Sequence, residues 1–253
     1  MPFTINLEDQ IIRFTINRPQ VRNAINFDII VGFEKLVSAV HNDSTIKFVV
    51  ITGEGDDAFC SGGDLSIFHG LHTAKDAFPM LNRMATVLYN IATLPVPVIA
   101  LVNGHAVGGG CEIATACDYR LVSSRAKCGF IQGSLAITSG WGGGTFLFEK
   151  LPRQDIAMQM LSEAKPLTSA TMLDNGWATK VYEDNKEIAL QTFLAEMKQV
   201  ETSVHRAYKQ MLIRKWTGQN LVDQIREEVQ TCSILWEADE HHQAVQKFLT
   251  KRK

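Results

Sequence analysis

Neither sign of charge prevails in this chain. Lysine and arginine number 25 against 27 aspartates and glutamates, a formal charge of −2 over 253 residues. That balance leaves no electrostatic footprint for nucleic acid or for an anionic membrane surface. Cysteine is sparse and odd in number: Cys60, Cys111, Cys117, Cys128 and Cys232 contain no Cys-x-x-Cys pair. Small buried thiols in a reducing compartment are therefore expected, with no disulfide framework and no metal site. The N-terminus lacks a basic segment leading into an apolar one, so a cytoplasmic protein is expected. No repeat of roughly 20 to 50 residues and no low-complexity tract is present. What remains is an ordinary globular composition, 45% hydrophobic and 21% charged, in a chain able to bury one full core.

The residues then divide into alternating periods. Phe3 to Leu7 and Ile11 to Ile16 alternate apolar and polar side chains around Glu8-Asp9-Gln10, which reads as a β-hairpin. Asn26 is an N-cap ahead of apolar residues at helical spacing from Phe27 to Val40. Lys47 to Thr52 reads as a buried strand, Thr73 to Thr93 as a helix, and Asp118 to Ser123 and Ala178 to Tyr182 as further strands. Such alternation forces crossover connections and a largely parallel sheet. The glycine-rich segments from Gly53 to Gly63 and from Cys128 to Gly144 read as irregular. Beyond Asn185 the chain reads as amphipathic helices, with Ser203 and Asn220 as caps.

The most informative stretch runs from Pro97 to Asp118. Its apolar start reads as a strand, Asn103-Gly104 breaks it, and Gly108-Gly109-Gly110 precede a helical pattern that carries Glu112. Adjacent glycines cost backbone entropy, which a close approach of main chain to ligand would justify. A helix beginning there would also present unpaired N–H groups and the positive end of its dipole. On spacing alone a second reading stays open: the glycines allow close strand–helix packing and Glu112 is a solvated first-turn acid. A dinucleotide fingerprint is excluded because Ile113 stands where its third glycine is needed, and no Gly-Lys-Ser/Thr follows for a phosphate loop. Asn103, His105 and Glu112 interrupt the apolar run, so it does not span a membrane.

This stretch, with Ala58-Phe-Cys-Ser-Gly-Gly-Asp-Leu65 and Asn17-Arg-Pro-Gln-Val-Arg-Asn-Ala-Ile-Asn26, resembles the signature of the crotonase (enoyl-CoA hydratase/isomerase) superfamily over about residues 3 to 250. The resemblance implies an α/β fold, a spiral of ββα turns over residues 1–200 with a helical region over 201–253. It implies trimers or paired trimers with subunit contacts through the helical region. The substrate would be an acyl-CoA thioester, with coenzyme A as part of the substrate and no further cofactor, metal, nucleic acid or membrane partner. The main-chain N–H groups of Gly63 and Gly109 would hold the thioester oxygen as it becomes an enolate, and Glu112 would carry the proton. Ala24, Gly62 and Leu65 match positions lining the CoA site. Arg22 is either a CoA phosphate partner or a solvated loop arginine, and Asp64 orders its loop. Trp141 belongs to the altered loop Ser139-Gly-Trp-Gly-Gly-Gly144.

One departure matters. Hydratases of the superfamily carry a second glutamate where this chain has Gln132, and no carboxylate lies between Asp118 and Glu149. Glutamine orients water but exchanges no proton near neutrality, and general acid–base help is worth about 10²- to 10⁴-fold. Three readings stand. In a hydratase-like enzyme, Glu112 alone would activate water held by Gln132. In a decarboxylase of a methylmalonyl- or ethylmalonyl-CoA type, which Cys117 to Leu121 and Trp141 to Gly143 resemble, the substrate would supply its own carbanion. An idle CoA-ester binding protein is the third. His105 is expected beside the glycine turn, and His241 and His242 on an exposed C-terminal face, none of them at metal-ligand spacing.

Overall fold

The computed structural model describes residues 1–183 and 185–250. The chain opens with the expected hairpin, β1 (Phe3–Glu8) and β2 (Ile11–Ile16). Asp9 and Gln10 between them both have positive φ, 48° and 64°, as a two-residue turn matched to strand twist demands. Asn26 caps α1 (Phe27–Asn42) by accepting the Ile29 N–H.

Three strand–strand–helix turns follow. The first is β3 (Phe48–Gly53), β4 (Ala58–Cys60), then α2 (Leu65–Phe68) and α3 (Ala74–Ala92). The second is β5 (Val98–Val102), β6 (His105–Val107) and α4 (Gly109–Ala116). The third is β7 (Tyr119–Ser123), β8 (Lys127–Gly129) and α5 (Gly143–Lys150). After these come α6 (Gln154–Glu163), β9 (Leu167–Thr168), α7 (Ser169–Asp174), β10 (Lys180–Tyr182) and α8 (Lys186–Leu194). In each turn the first strand joins a sheet ordered β1-β2-β3-β5-β7-β10 and the second joins a smaller one ordered β4-β6-β8-β9. All pairings are parallel except β1 with β2 and β8 with β9. This is the expected ββα spiral.

The small sheet corrects two expectations, since β4 and β8 fall in segments read as irregular. Strands of three residues are too short to show a period of two, and their neighbours in space hold them. Polar side chains fix the junctions between the sheets. Buried Asn103 accepts the Gly53 N–H at 2.9 Å and donates to Gly55 O at 2.7 Å, and buried Asn23 donates to Ala58 O at 2.7 Å.

The C-terminal helices are α9 (Thr202–Gly218), α10 (Leu221–Glu237) and α11 (Asp239–Thr250). Trp216, Ile225, Val229, Cys232 and Trp236 join the same hydrophobic cluster as the sheets. Residues 251–253 of the expected helical region lie outside the described residues. The two expected caps are corrected. Helix α9 begins at Thr202, which puts Ser203 inside its first turn. Asn220 occupies the cap position of α10 with φ 53° and makes no side-chain cap bond.

A buried ion pair anchors α9 to the sheet. Lys209 Nζ lies 2.5 Å from both Asp118 oxygens, and the Lys209 side chain is 3% exposed. Asp118 Oδ2 also accepts the Val98 N–H at 2.8 Å. Removing one member leaves the other charge buried and unpaired, which costs about 3–5 kcal/mol. Lys209→Met is expected to lower the urea midpoint by a corresponding amount, and an unchanged midpoint would show that the pair contributes nothing.

Candidate active site

The parallel register of β4 with β6 pairs Cys60 with Ala106. The residues following each strand therefore emerge side by side, and these are the glycine turns Gly62-Gly63 and Gly108-Gly109. Gly62, at φ 91°, lies so near the second turn that a Cβ there would stand 3.1 Å from Gly109 N. Gly63 bridges Ile25: Ile25 N donates to Gly62 O at 2.8 Å and Asp64 N to Ile25 O at 2.9 Å. In a parallel bridge of this kind the N–H of the middle residue faces away from the partner, and Gly63 also lines the cavity described below. Gly109 is the first residue of α4, where N–H groups have no intrahelical acceptor. Among the described residues neither N–H has an acceptor.

Both glycines line a cavity of about 90 Å³, together with Gly62, Leu65, Glu112, Gln132 and Trp141. The Trp141 ring lies directly over Gly109, where a Cβ would fall 2.1 Å from Cζ3. Glycine is thus required here by close packing against a side chain of the protein itself.

Glu112 is only 2% exposed, which excludes the solvated first-turn reading. Its Oε2 accepts the N–H groups of Trp141 and Gly143, both at 2.9 Å, and its Oε1 accepts Gln132 Nε2 at 2.7 Å. Burial, and then the nearby Glu228 carboxylate, push its carboxyl up from the ordinary range to about 7, against those three hydrogen bonds. With Nε2 spent on Glu112, Gln132 Oε1 is left buried and without a partner. A buried acceptor of this kind is costly unless something donates to it.

Other candidates fall outside the cavity wall. Asp64 accepts Arg18 Nη2 at 2.8 Å and Ser66 Oγ at 2.6 Å, and it caps α2 through Ser66 N. Burial alone would raise its carboxyl, but the Ser66 and Arg18 bonds outweigh that and hold it below the ordinary range. Both of its oxygens are engaged in these bonds, which tie the loop together. Ala24 is buried, and its carbonyl accepts Arg18 Nη1 at 2.7 Å. Arg22 is exposed at φ 55°, and its carbonyl accepts the N–H of Ser61 at the cavity edge. His105 is exposed and accepts the Lys127 N–H at 2.9 Å, away from the cavity. Cys60 is fully buried, and burial pushes its thiol up to about 12, which rules it out as a nucleophile near neutrality. No cluster of potential metal ligands occurs among the described residues.

The C-terminal helices supply what sequence reasoning missed. Cys232 and Trp236 of α10 and His241 of α11 line the same cavity. His241 is 3% exposed and its Nδ1 donates to Leu135 O at 2.7 Å, so the expectation of an exposed His241 is corrected. A lone histidine on an amphipathic helix carries no signal that its face will be covered. Glu228 of α10 accepts Thr145 N at 2.8 Å, Thr145 Oγ1 at 2.7 Å and Gly144 N at 3.3 Å.

Comparison with known proteins follows the same line. A family model described as enoyl-CoA hydratase/isomerase matches residues 6–253. The short-chain-enoyl-CoA hydratase of Clostridium acetobutylicum is 36% identical over 180 residues, covering 71% of this chain and 68% of that protein. An ethylmalonyl-CoA decarboxylase of Xenopus laevis is 27% identical over 243 residues, covering 95% of this chain and 80% of that one. The aligned part spans from 66% down to 52% of the length of further hydratase relatives. The crystal structure of an enoyl-CoA hydratase from Mycobacterium avium subsp. paratuberculosis K-10 superposes with a TM-score of 0.85 at 25% identity, covering 97% of this chain and 98% of that one.

The contact between Gly109 and Trp141 is directly testable. Gly109→Ala must displace the indole, at an overpacking cost of about 1–3 kcal/mol. A lower melting temperature and a changed tryptophan emission are expected; an unperturbed emission spectrum would contradict the close approach.

Proposed function

The chain belongs to the enoyl-CoA hydratase/isomerase family, and we propose that it acts on a short acyl-CoA thioester, adding water to a 2-enoyl group through an enolate. The observation that carries this reading is Gln132 Oε1, an unpartnered buried acceptor beside the Glu112 carboxylate. A water molecule has two protons to give, and Glu112 Oε1 and Gln132 Oε1 are two acceptors side by side. Held so, its lone pair is free to meet the β-carbon of the enoyl group.

The chemistry then balances with one proton carrier. As the water oxygen bonds to the β-carbon, one water proton passes to Glu112 and the π electrons move onto the thioester oxygen. The N–H groups of Gly63 and Gly109 stabilise that oxyanion, each such donor being worth roughly 3 to 4 kcal/mol. The enolate then collapses, and its α-carbon takes a proton from Glu112, which leaves a 3-hydroxyacyl-CoA. A carboxyl raised to about 7 suits a group that must both accept and return a proton. Gln132 holds the water and exchanges nothing. The proposal thus makes the chain a lyase, with Arg22, outside the cavity wall beside Ser61, meeting a CoA phosphate and no cofactor beyond the CoA of the substrate.

A second reading has its own support. The decarboxylase relative aligns over 95% of this chain, against 71% for the Clostridium hydratase. Glu112 and Gln132 Oε1 would both repel a carboxylate on the α-carbon of a malonyl-type thioester. Its C–C bond would break with release of CO₂, the electron pair passing to the same oxyanion, and the α-carbon would then take a proton that Glu112 first picks up from solvent water.

The same proposal carries a cytoplasmic location and a homotrimer or dimer of trimers. The exposed apolar residues Val204, Tyr208, Met211 and Leu212 of α9 would serve as contact surface. No helix among the described residues is long and apolar enough to cross a membrane.

Mass-spectrometric product analysis separates the readings. Incubation with crotonyl-CoA is expected to give the hydrated 3-hydroxy product, and Gln132→Glu to raise that rate by at least ten-fold. Turnover of ethylmalonyl- or methylmalonyl-CoA with loss of CO₂, and none of crotonyl-CoA, would overturn hydration in favour of decarboxylation. A tightly held ester with no turnover of any of them would leave only binding.

The pH dependence has a definite sign. Glu112 must be ionised to take the water proton, so kcat/KM for hydration is expected to rise with pH through a midpoint near 7. A midpoint in the ordinary carboxylate range would contradict a buried, raised carboxyl.

A further inference from the structure

The short helix α5 has a crowded N-terminus. Its first amide groups are divided between two carboxylates that come from distant parts of the chain. Glu112 of α4 takes Trp141 N and Gly143 N, each at 2.9 Å. Glu228 of α10 takes Gly144 N at 3.3 Å, Thr145 N at 2.8 Å and the Thr145 hydroxyl at 2.7 Å. Consecutive amides of one turn thus hold two acids close together. Among the described residues no lysine or arginine is paired with either. One helix end carries a partial charge of only about half a unit, so it does not neutralise two carboxylates.

From this geometry we propose that Glu228 is a positioning residue for Glu112: its negative charge, fixed on the same helix end, adds to burial in making Glu112 a group that holds and returns a proton near neutrality. Glu228 does not touch the cavity that holds Glu112; it lines a separate one on the far side of Gln132, Ile137 and Thr138. It therefore acts through Glu112 and not on substrate. Like charges held close together push the proton affinity of one member up, and the Glu228 carboxylate is the main charged group acting on Glu112 in that direction.

The remaining titratable groups facing the pair do not supply the same effect. Cys232, on α10 itself, has its thiol pushed up by burial and stays neutral. His241 of α11 is lowered by burial, which favours its neutral form. Helix α3 brings only Met80 and Leu81 to the cavity. Lys150 and Glu149 lie at the opposite end of α5, with Lys150 Nζ tied to the carbonyls of Thr115, Ala116 and Cys117. Burial raises the Glu228 carboxyl as well, and the bonds from Thr145, Ser139 and Gly144 oppose that rise, which gives the Thr145 hydroxyl a purpose.

The kinetic consequence rests on the reading of Glu112 as the proton carrier; the titration itself does not. Glu228→Gln keeps the size of the side chain and an acceptor for the α5 amides, and removes the charge. The midpoint of the pH–kcat/KM profile is expected to fall by about one unit. The rate well above the midpoint should stay within about two-fold, and affinity for a CoA ester should not change. Glu228→Asp, which retains the charge, should restore the midpoint towards that of the parent. A loss of rate equal at every pH, with the midpoint fixed, would reduce Glu228 to a structural cap and overturn the proposal.

Where Glu228→Gln fails to fold, the parent protein decides. Carbon-13 NMR of carboxyl-labelled glutamate should show two signals titrating in linked steps, one of them far above the ordinary range. Two independent single steps at ordinary values would overturn the proposal. Linked steps in a protein that turns over no acyl-CoA would leave this inference standing and remove the hydration reading.

Discussion

When β4 and β6 lie parallel, the two glycine turns that follow them leave the small sheet at the same edge, and everything reactive is arranged around that meeting. Gly63 has its N–H free because the bridge to Ile25 uses the carbonyl before it and the amide after it. Gly109 has its N–H free because it begins a helix. Neither amide owes its position to a side chain, so under the proposed function neither would need to reorganise as charge develops opposite it. The glycines are required by crowding: Trp141 stands over Gly109, and a Cβ on Gly110 would fall 2.1 Å from Cys60 O.

The second layer is electrostatic and comes from the third ββα turn and the C-terminal helices. The loop into α5 gives Glu112 two amide donors, and Gln132 adds a third. A carboxylate so held has a fixed position, while burial and Glu228 keep its proton affinity high. Position and proton affinity are thus set by different neighbours. Under the proposed function, that separation would let one carboxyl both take up and return a proton.

Much of this was legible in the residues. The hairpin, α1, α3 and the strand into Gly108-Gly109-Gly110 follow from period, caps and turn residues, and Glu112, Gly63, Gly109 and Gln132, put forward by motif, line one cavity. What escaped notice did so for physical reasons. Strands β4, β6 and β8 are three residues each, below the length at which alternation is visible. The Arg18–Asp64 pair and the Glu228 contact join residues far apart in the chain, and nothing local marks them. Glu228 lies between Ile225, Val229 and Cys232 on the face that α10 buries, yet a single acid there reads equally well as the edge of a solvated face. Ser203 had the chemistry of a cap and lost the position to Glu201, because the helix starts two residues sooner.

The central claim is that two main-chain amides meet one thioester oxygen beside Glu112. Isotope-edited infrared spectroscopy tests it most directly, using crotonyl-CoA labelled with carbon-13 at the thioester carbonyl and bound to Glu112→Gln protein to slow turnover. Two hydrogen bonds to the oxygen weaken the C=O bond, so its stretching band should move to lower frequency on binding, and most of that shift should vanish in Gly109→Val. A bound ester whose carbonyl band stays where it is in water would contradict the account.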